Sequence, residues 1–547
     1  MRKAVAFALL LLTMAAEVRG AKDEARAQNP NSAHTKEAEK SDGLPADSSS
    51  SSGFSGNLLV VPMDGSHWVG IKAIAQEMGR RGHRVTVVIP EISIRMGPGK
   101  YYDTIAFPVP YDEAYLDYVM SSHKDIMEKI RKRYTQVQRI AGFIHTTAES
   151  LLFNSSLISH LAQQVISLFL GSLCLSTCTF LSCHWLSLPG IPTVNLLRGT
   201  PCSADMKAAG CPSPASFVPR SFTGYTDRMN FKERVINTLV AVLEPLFCRL
   251  MFWHFDHIAS EFLEEEVGIM EVLSDSDIWL LRIDFTLELP RPLMPNMVLV
   301  GGINCNVRNP LPDDLEEWVS GQHGFIVFTL GSMVSDLPED ITSVFLDAFG
   351  QIPQKVIWRY TGRVSENVPS NVKMMKWVPQ NDLLAHRGVR AFITHAGSHG
   401  VFEGLCHGVP MLMVPLNADQ PDNALKIAQR GAGLVLDITS LTTESLLQGL
   451  TEIINTTRYK ENVQKLAALH NDRPVDPLDL SVYWTEYVMK HKGAKHLKAA
   501  VRDLHWFQYF CLDVITFLAA TVLLSVTLTV KCLKFCFGKL NRKKKQA

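Results

Sequence analysis

Short uncharged apolar runs, each cut off by a proline or small-residue turn and followed by a helical spacer, constrain the fold of this chain most. Asn57 to Val61 is such a run; it meets Pro62 and the turn Asp64-Gly65-Ser66. His67 to Arg81 then has helical character, and Arg84 to Ile89 is a second buried run ended by Pro90. Strand, turn, helix, strand is a βαβ unit opening a parallel sheet. The grammar returns at Phe325–Leu330, which runs into Gly331-Ser332, and at Lys355–Arg359, Ala391–Thr394 and Pro410–Pro415. Two doubly wound, Rossmann-like α/β domains facing one another are therefore expected, with ligands at the carboxyl ends of the strands. The link between them falls near Pro290–Gly302, where Pro290, Pro292, Pro295, Gly301 and Gly302 interrupt regular structure.

Composition agrees with two or three domains in 547 residues: 46% apolar, 20% charged, net charge zero. Without a basic field, nucleic acid is not an expected partner. The 11 cysteines show no C-x-x-C pair and no metal-finger spacing. Cys202 and Cys211 are the expected disulfide in an oxidising compartment, two free thiols being the alternative. The ends set that compartment. Residues 1–20, a basic start and a short apolar run, have the layout of a secretory signal peptide; an uncleaved anchor is the alternative. Residues 21–56 are polar, with a serine tract, and are expected to be a disordered spacer. Residues 506–530 are apolar over the roughly 20 residues a spanning helix needs, with Trp506, Phe507 and Tyr509 at one end. The lysine-rich tail 531–547 is expected on the cytosolic side, which makes the chain single-pass type I with its body luminal. Lys544 and Lys545 match a dilysine signal for retrieval to the endoplasmic reticulum membrane, although a plain stop-transfer tail looks similar. The sequons at Asn154 and Asn455 are usable only in the lumen.

One stretch carries chemistry for a nucleoside-diphosphate sugar. Phe392-Ile393-Thr394 ends at His395, small residues follow through Gly400, and a helix then begins. The free N–H groups of that helix start favour a diphosphate, and the glycines let the backbone approach it. His395 can donate to the same anion, and Glu403 can accept from ribose hydroxyls. Trp377 offers a flat face to a uracil ring and Gln380 a polar group to base or ribose. Asp419 and Gln420 follow a buried strand and would meet sugar hydroxyls. The spacing of His395, His399 and Glu403 also permits a metal on one helix face, but His395 precedes the helix, so no metal is expected. Asp275-Ser276-Asp277 is read as a solvated turn.

These residues form Trp-Val-Pro-Gln … Thr-His-Ala-Gly-Ser-His-Gly … Glu … Gly-Val-Pro-Met … Asp-Gln, which resembles the UDP-glycosyltransferase signature from Trp377 to Gln420. The chain beyond residue 56 is most similar to vertebrate microsomal UDP-glucuronosyltransferases, including Pro292–Met297, Phe328–Val334 and Asp472–Asp479. The resemblance implies a GT-B fold, inversion at the anomeric carbon, UDP-glucuronate as co-substrate without metal or other cofactor, and xenobiotic conjugation. It implies that Ser332, Arg359, His395 and the backbone of Gly397, Ser398, His399 and Gly400 hold the diphosphate. Trp377 and Gln380 would hold uridine, Glu403 the ribose, and Asp419 and Gln420 the sugar, with Arg291 a weaker candidate for the glucuronate carboxylate. Asn417-Ala418 departs from the family's Phe-Gly and leaves a UDP-hexose as the alternative donor. The expected parts are an acceptor domain 57–295, a donor domain 296–475 and a helical return segment 476–505. Pairing with like or related transferases is a further expectation.

Asp64-Gly65-Ser66-His67-Trp68 matches the family's acceptor-side motif and makes His67 the expected general base. Phe107, Tyr111, Tyr115, Tyr118 and Phe143 suit small lipophilic acceptors, although each by itself reads as core. The family's partner aspartate is missing: no acidic residue occurs between Glu149 and Asp205, and residues 165–190 form an atypical apolar segment. A replaced stretch, a membrane-dipping run over Val165–Leu188 and an unusual buried helix compete to explain it, and each leaves weak or absent turnover as an expectation.

Overall fold

The computed structural model describes residues 54–121, 142–164, 166–172, 191–198, 203–221, 223–306, 308–331, 334, 336–363, 367–416 and 419–544. The signal reading, the spacer reading up to residue 53, Ser332, Asn417-Ala418, Cys202, Lys545 and most of 165–190 lie outside them; the end of the expected spacer is ordered, with Phe54 packed on the first sheet and Gly56 donating to His83 at 3.2 Å.

Among the described residues thirteen strands, all paired in parallel, form two sheets. The first has order β3-β2-β1-β4-β5-β6-β7. Its strands are β1 Asn57–Val61, β2 Arg84–Pro90, β3 Asp103–Phe107, β4 Leu168–Ser172, β5 Thr193–Leu197, β6 Ile278–Leu281 and β7 Met297–Leu299. The second has order β10-β9-β8-β11-β12-β13. It is built from β8 Phe325–Thr329, β9 Lys355–Arg359, β10 Val372–Met375, β11 Val389–Thr394, β12 Met411–Met413 and β13 Gly433–Val435. Each sheet reverses its winding once, between β1 and β4 and between β8 and β11. Those reversals open a crevice at the carboxyl ends of the strands, where ligands of such sheets bind. His67 follows β1 and His395 follows β11, so both expected centres stand at a reversal.

The central strands are apolar on both sides because helices cover both faces. In the second sheet Phe328 stacks on both Phe345 and Trp358, with ring centroids 4.5 and 4.8 Å away, and those two rings also touch. The first sheet borrows part of its cover from far downstream. Val482, Val488 and Met489 of the Pro477–His491 helix, together with Ala494, pack among Leu58, Val60, Leu168 and Leu170.

Several expectations need correction. Leu168–Ser172 is a central strand paired to β1 and β5. Over Leu168–Ser172 a spanning or buried helix is therefore excluded, because this stretch fills the gap between β1 and β5. The strand is present; the carboxylate expected to follow it is not in the sequence. Cys211 is a free, buried thiol that donates to the Pro292 carbonyl at 3.1 Å, so Cys202–Cys211 is not the pairing. Cys305 and Cys406 are disulfide-bonded instead, across 101 positions. Asp275-Ser276-Asp277 is not solvated as a unit: Ser276 and Asp277 are buried. Asp277 accepts from the backbone N–H of Thr193 at 3.0 Å and of Ala494 at 2.9 Å, tying the start of β5 to the return segment.

A separate C-terminal unit covers Lys498–Ala547. Its apolar helix starts at Leu512, since the chain turns at Cys511 with φ 51°. Leu512–Phe535 spans 24 residues, holds an 18-residue window of mean hydropathy 2.0 and fits a single-pass membrane anchor.

Replacing Asp277 by Ala would leave two buried N–H groups unpaired. Each costs about 1–3 kcal/mol, so thermal unfolding in detergent should show a clear loss of stability, with Asp277→Asn milder because one acceptor oxygen remains.

Candidate functional site

The helix Ser398–Cys406 starts just beyond β11, after a turn in which Ala396 takes φ 62°. Two glycines make room for the histidine in that turn. A Cβ on Gly331 or Gly397 would stand 2.6 or 2.5 Å from the His395 ring, so His395 lies sandwiched between two backbones. Arg359, ending β9, donates to the Gly331 carbonyl at 2.5 Å. The buried Ser398 hydroxyl finds no hydrogen-bond partner among the described residues, which suits an incoming anion at this helix start.

Along the same helix the polar groups are tightly paired. Thr329, at the end of β8, donates to Gln380 Oε1 at 2.6 Å, and Gln380 Nε2 donates to Glu403 Oε2. Glu403 Oε1 lies 3.1 Å from His399 Nε2. Burial raises the Glu403 pKa, but His399 and Gln380 outweigh it and hold the carboxyl below its usual range.

The first sheet contributes residues that sequence reasoning missed. Arg282, directly after β6, donates to His399 Nδ1 at 2.6 Å. Burial, with Arg198 nearby, pushes its pKa down to about 9. Arg198, directly after β5, pairs with Asp419, which also accepts from Asn423 at 2.5 Å. Arg198 thereby helps hold the Asp419 carboxyl low against the opposing effect of burial. Arg95 lies with its guanidinium 4.0 Å from the centroid of the Trp377 ring, a half-exposed platform that Arg359 also approaches, at 5.7 Å. A signal for two of them was present: an arginine immediately after a buried apolar run sits at the carboxyl end of a strand.

His67 opens the helix Ser66–Arg80. Desolvation, reinforced by Arg198 and Arg282 and opposed by Asp419, pushes its pKa down to about 3. The imidazole is thus neutral and able to accept a proton at neutral pH. Asp64 of the same motif serves the backbone: its carboxylate accepts from Gly65 at 2.6 Å, Ile94 at 2.5 Å and Arg95 at 3.1 Å. That latch places Arg95 over Trp377.

The other expected residues differ in their surroundings. Gln420 accepts from the Leu416 N–H at 2.8 Å and braces the loop after β12. Arg291 is half-buried beside Arg220, Glu288 and Lys426, in a separate pocket without Trp377, His395 or Glu403. Asn455 is exposed at a helix end, while Asn154 caps its helix by accepting from Leu157 at 3.0 Å. Phe107 and Tyr111 are core, as read singly, whereas Tyr115 and Tyr118 are exposed and continue an aromatic cluster with Phe143. Among the described residues, His395, His399 and Glu403 form no metal-ligand group.

The depressed His67 pKa has a definite sign. Between pH 6.5 and about 3 the unfolded chain binds a proton that the folded one excludes, so stability falls as pH falls through that window. The unfolding temperature of the wild type relative to His67→Gln should drop between pH 7 and pH 4; a difference independent of pH would contradict the assignment.

Comparison with known proteins accounts for this arrangement. Residues 56–547 match the family profile described as UDP-glucoronosyl and UDP-glucosyl transferase. The chain is 44% identical over 508 residues to UDP-glucuronosyltransferase 1A1 of Mus musculus, covering 90% of this chain and 94% of that protein. It is 43% identical over 501 residues to UDP-glucuronosyltransferase 1A6 of Homo sapiens, covering 89% and 93%. Among solved structures, the spinosyn forosaminyltransferase SpnP aligns with a TM-score of 0.54 at 17% identity, over 80% of this chain and 100% of that one. CalG4, the calicheamicin glycosyltransferase, aligns with 0.54 at 16% identity, over 80% and 98%. These two share the GT-B fold with it. The chain belongs to the UDP-glucuronosyl and UDP-glucosyl transferase family and is a glycosyltransferase.

Proposed function

We propose that this protein moves glucuronic acid from UDP-glucuronate to hydroxyl or carboxyl groups of small lipophilic acceptors, inverting the anomeric carbon. The observation that carries the reading is the pairing of Arg282 with His399 and of Arg198 with Asp419 across the two sheets, beside His67, whose imidazole the same two arginines help keep neutral. His67 takes the acceptor proton while UDP departs from the opposite face of the sugar. The Ser398 hydroxyl, His395 and the helix N–H groups hold the diphosphate, and Arg359 and Ser332 are its further partners. Trp377 stacks on uracil once Arg95 moves aside or caps the ring from the other face. Gln380 and Glu403 take the ribose, and Asp419 and Gln420 the sugar hydroxyls. Arg291 is not proposed for the glucuronate carboxylate, given its separate pocket. No metal enters this chemistry. The apolar C-terminal helix anchors the enzyme in the endoplasmic reticulum membrane with the body luminal and Asn154 and Asn455 available for glycosylation.

A second reading rests on a specific observation. β4 ends at Ser172, and the sequence holds no carboxylate until Asp205. His67 therefore lacks the aspartate its family uses for orientation, a loss that costs about 10⁴ in kcat in the serine-protease template. A weak or silent chain that binds UDP-sugar and pairs with active transferases is the alternative.

Calorimetry of UDP together with turnover on UDP-glucuronate, UDP-glucose and a phenolic acceptor separates these readings. Turnover with UDP-glucuronate supports the first, binding without turnover the second, and turnover with UDP-glucose alone a hexosyl donor. Trp377→Ala and Glu403→Gln should each weaken UDP binding about tenfold, a loss of about 1.4 kcal/mol. If the chain turns over, His67→Ala should lower kcat by about 10²–10⁴ while leaving UDP affinity unchanged.

A further inference from the structure

A buried cluster that the transfer chemistry does not use lies where the chain crosses from the first sheet to the second. Cys305 stands in the turns after β7, Cys406 ends the Ser398–Cys406 helix, and His470 lies near the end of the Thr457–Asn471 helix. All three are buried. Their sulfurs and a ring nitrogen lie within 4.8 Å of one another. Gly302, with φ 78°, closes over them: a Cβ there would stand 2.5 Å from His470 Nε2 and 3.1 Å from each sulfur. Nε2 is thus the ring nitrogen turned towards the cysteines. The other, Nδ1, lies 3.5 Å from Asp284 Oδ1.

Two cysteine sulfurs and an imidazole backed by a carboxylate are the donor set of zinc and its softer congeners, not of magnesium or calcium. We propose that Cys305, Cys406 and His470 form a redox-gated site for a soft divalent cation, closed as a cystine when oxidised and open to the metal when reduced. An external dithiol breaks the S–S bond: each sulfur leaves as a thiol with one proton, and the dithiol closes to its own disulfide. Metal binding then releases both thiol protons and forms two metal–sulfur bonds and one bond to Nε2, leaving a fourth position for water. The two thiolates balance the cation, and Arg473 and Asp284, 2.6 Å apart, already balance one another. Arg473 Nη2 stands 2.6 Å from His470 Nδ1 and 3.2 Å from Nε2. Loading therefore moves this guanidinium off the ring and onto Asp284 and the Gly301 carbonyl, to which Nη1 already donates at 2.9 Å. The proton on Nδ1 then faces Asp284.

The test uses the full-length protein in detergent. Wild type is reduced with tris(2-carboxyethyl)phosphine, which water converts to the phosphine oxide, then freed of reductant without oxygen and titrated with Zn²⁺, or with Cd²⁺ for its thiolate absorption. One more equivalent should bind to the reduced protein than to the oxidised one, and Cys305→Ser/Cys406→Ser should lose it. His470→Asn should weaken that equivalent at least tenfold. Equal metal uptake by oxidised and reduced wild type would overturn the proposal, as would full uptake by the double variant. Should the variants fail to fold, alkylation of reduced wild type with and without Zn²⁺ decides by mass spectrometry. Protection of both Cys305 and Cys406 supports the site, and equal labelling refutes it.

Discussion

The buried guanidinium of Arg282 is the group on which the site's geometry depends. It belongs to the first sheet yet donates to His399 of the second, and His399 in turn orients Glu403. Gln380 and Thr329 extend the chain back into the donor half. A polar chain whose members are all satisfied is rigid; one with a member removed leaves a charge stranded in low dielectric. The ordering of the polar groups on one half and the docking of the other half are therefore one event. The Arg198–Asp419 pair makes a second such link beside it.

Carboxylates elsewhere in the body do structural work that residue type alone would not suggest. Asp64 gathers three backbone N–H groups from two loops, and Asp277 joins strand β5 to the return segment. Burial raises the Asp64 pKa, and the three backbone donors only partly offset it. The acceptor-side motif thus sets more than the place of His67: through Arg95 it also reaches the aromatic platform of the opposite half.

Much of this was legible in the sequence, for a physical reason. Parallel strands covered on both faces read as unbroken apolar runs, and the turns after β1, β8 and β11 need small residues, so the strands and the Ser398–Cys406 helix announced themselves together. What stayed hidden depends on distant pairing. Asp277 looked like a surface turn because Thr193 and Ala494, its partners, are remote in the chain. Cys211 looked paired because Cys202 is near in sequence, whereas Cys305 and Cys406 meet only once both sheets exist. Arg198 and Arg282 could have been marked by their places at strand ends. Arg291 was suggested by resemblance alone, and the fold takes its side chain elsewhere. The short β4 was overlooked because the apolar run continues past it and hides its end.

The Pro477–His491 helix carries a consequence for how the molecule can be divided. It comes after the whole second sheet, yet its Val482, Val488 and Met489 complete the core of the first. The boundary between the halves in space is therefore not a boundary along the chain. A fragment ending after β7 would present an unfinished apolar face, and a fragment beginning there would carry a helix with nothing to cover. During synthesis the first half must wait until roughly nine-tenths of the polypeptide has been made before it is sealed, which makes the two halves one folding unit with a late closing step.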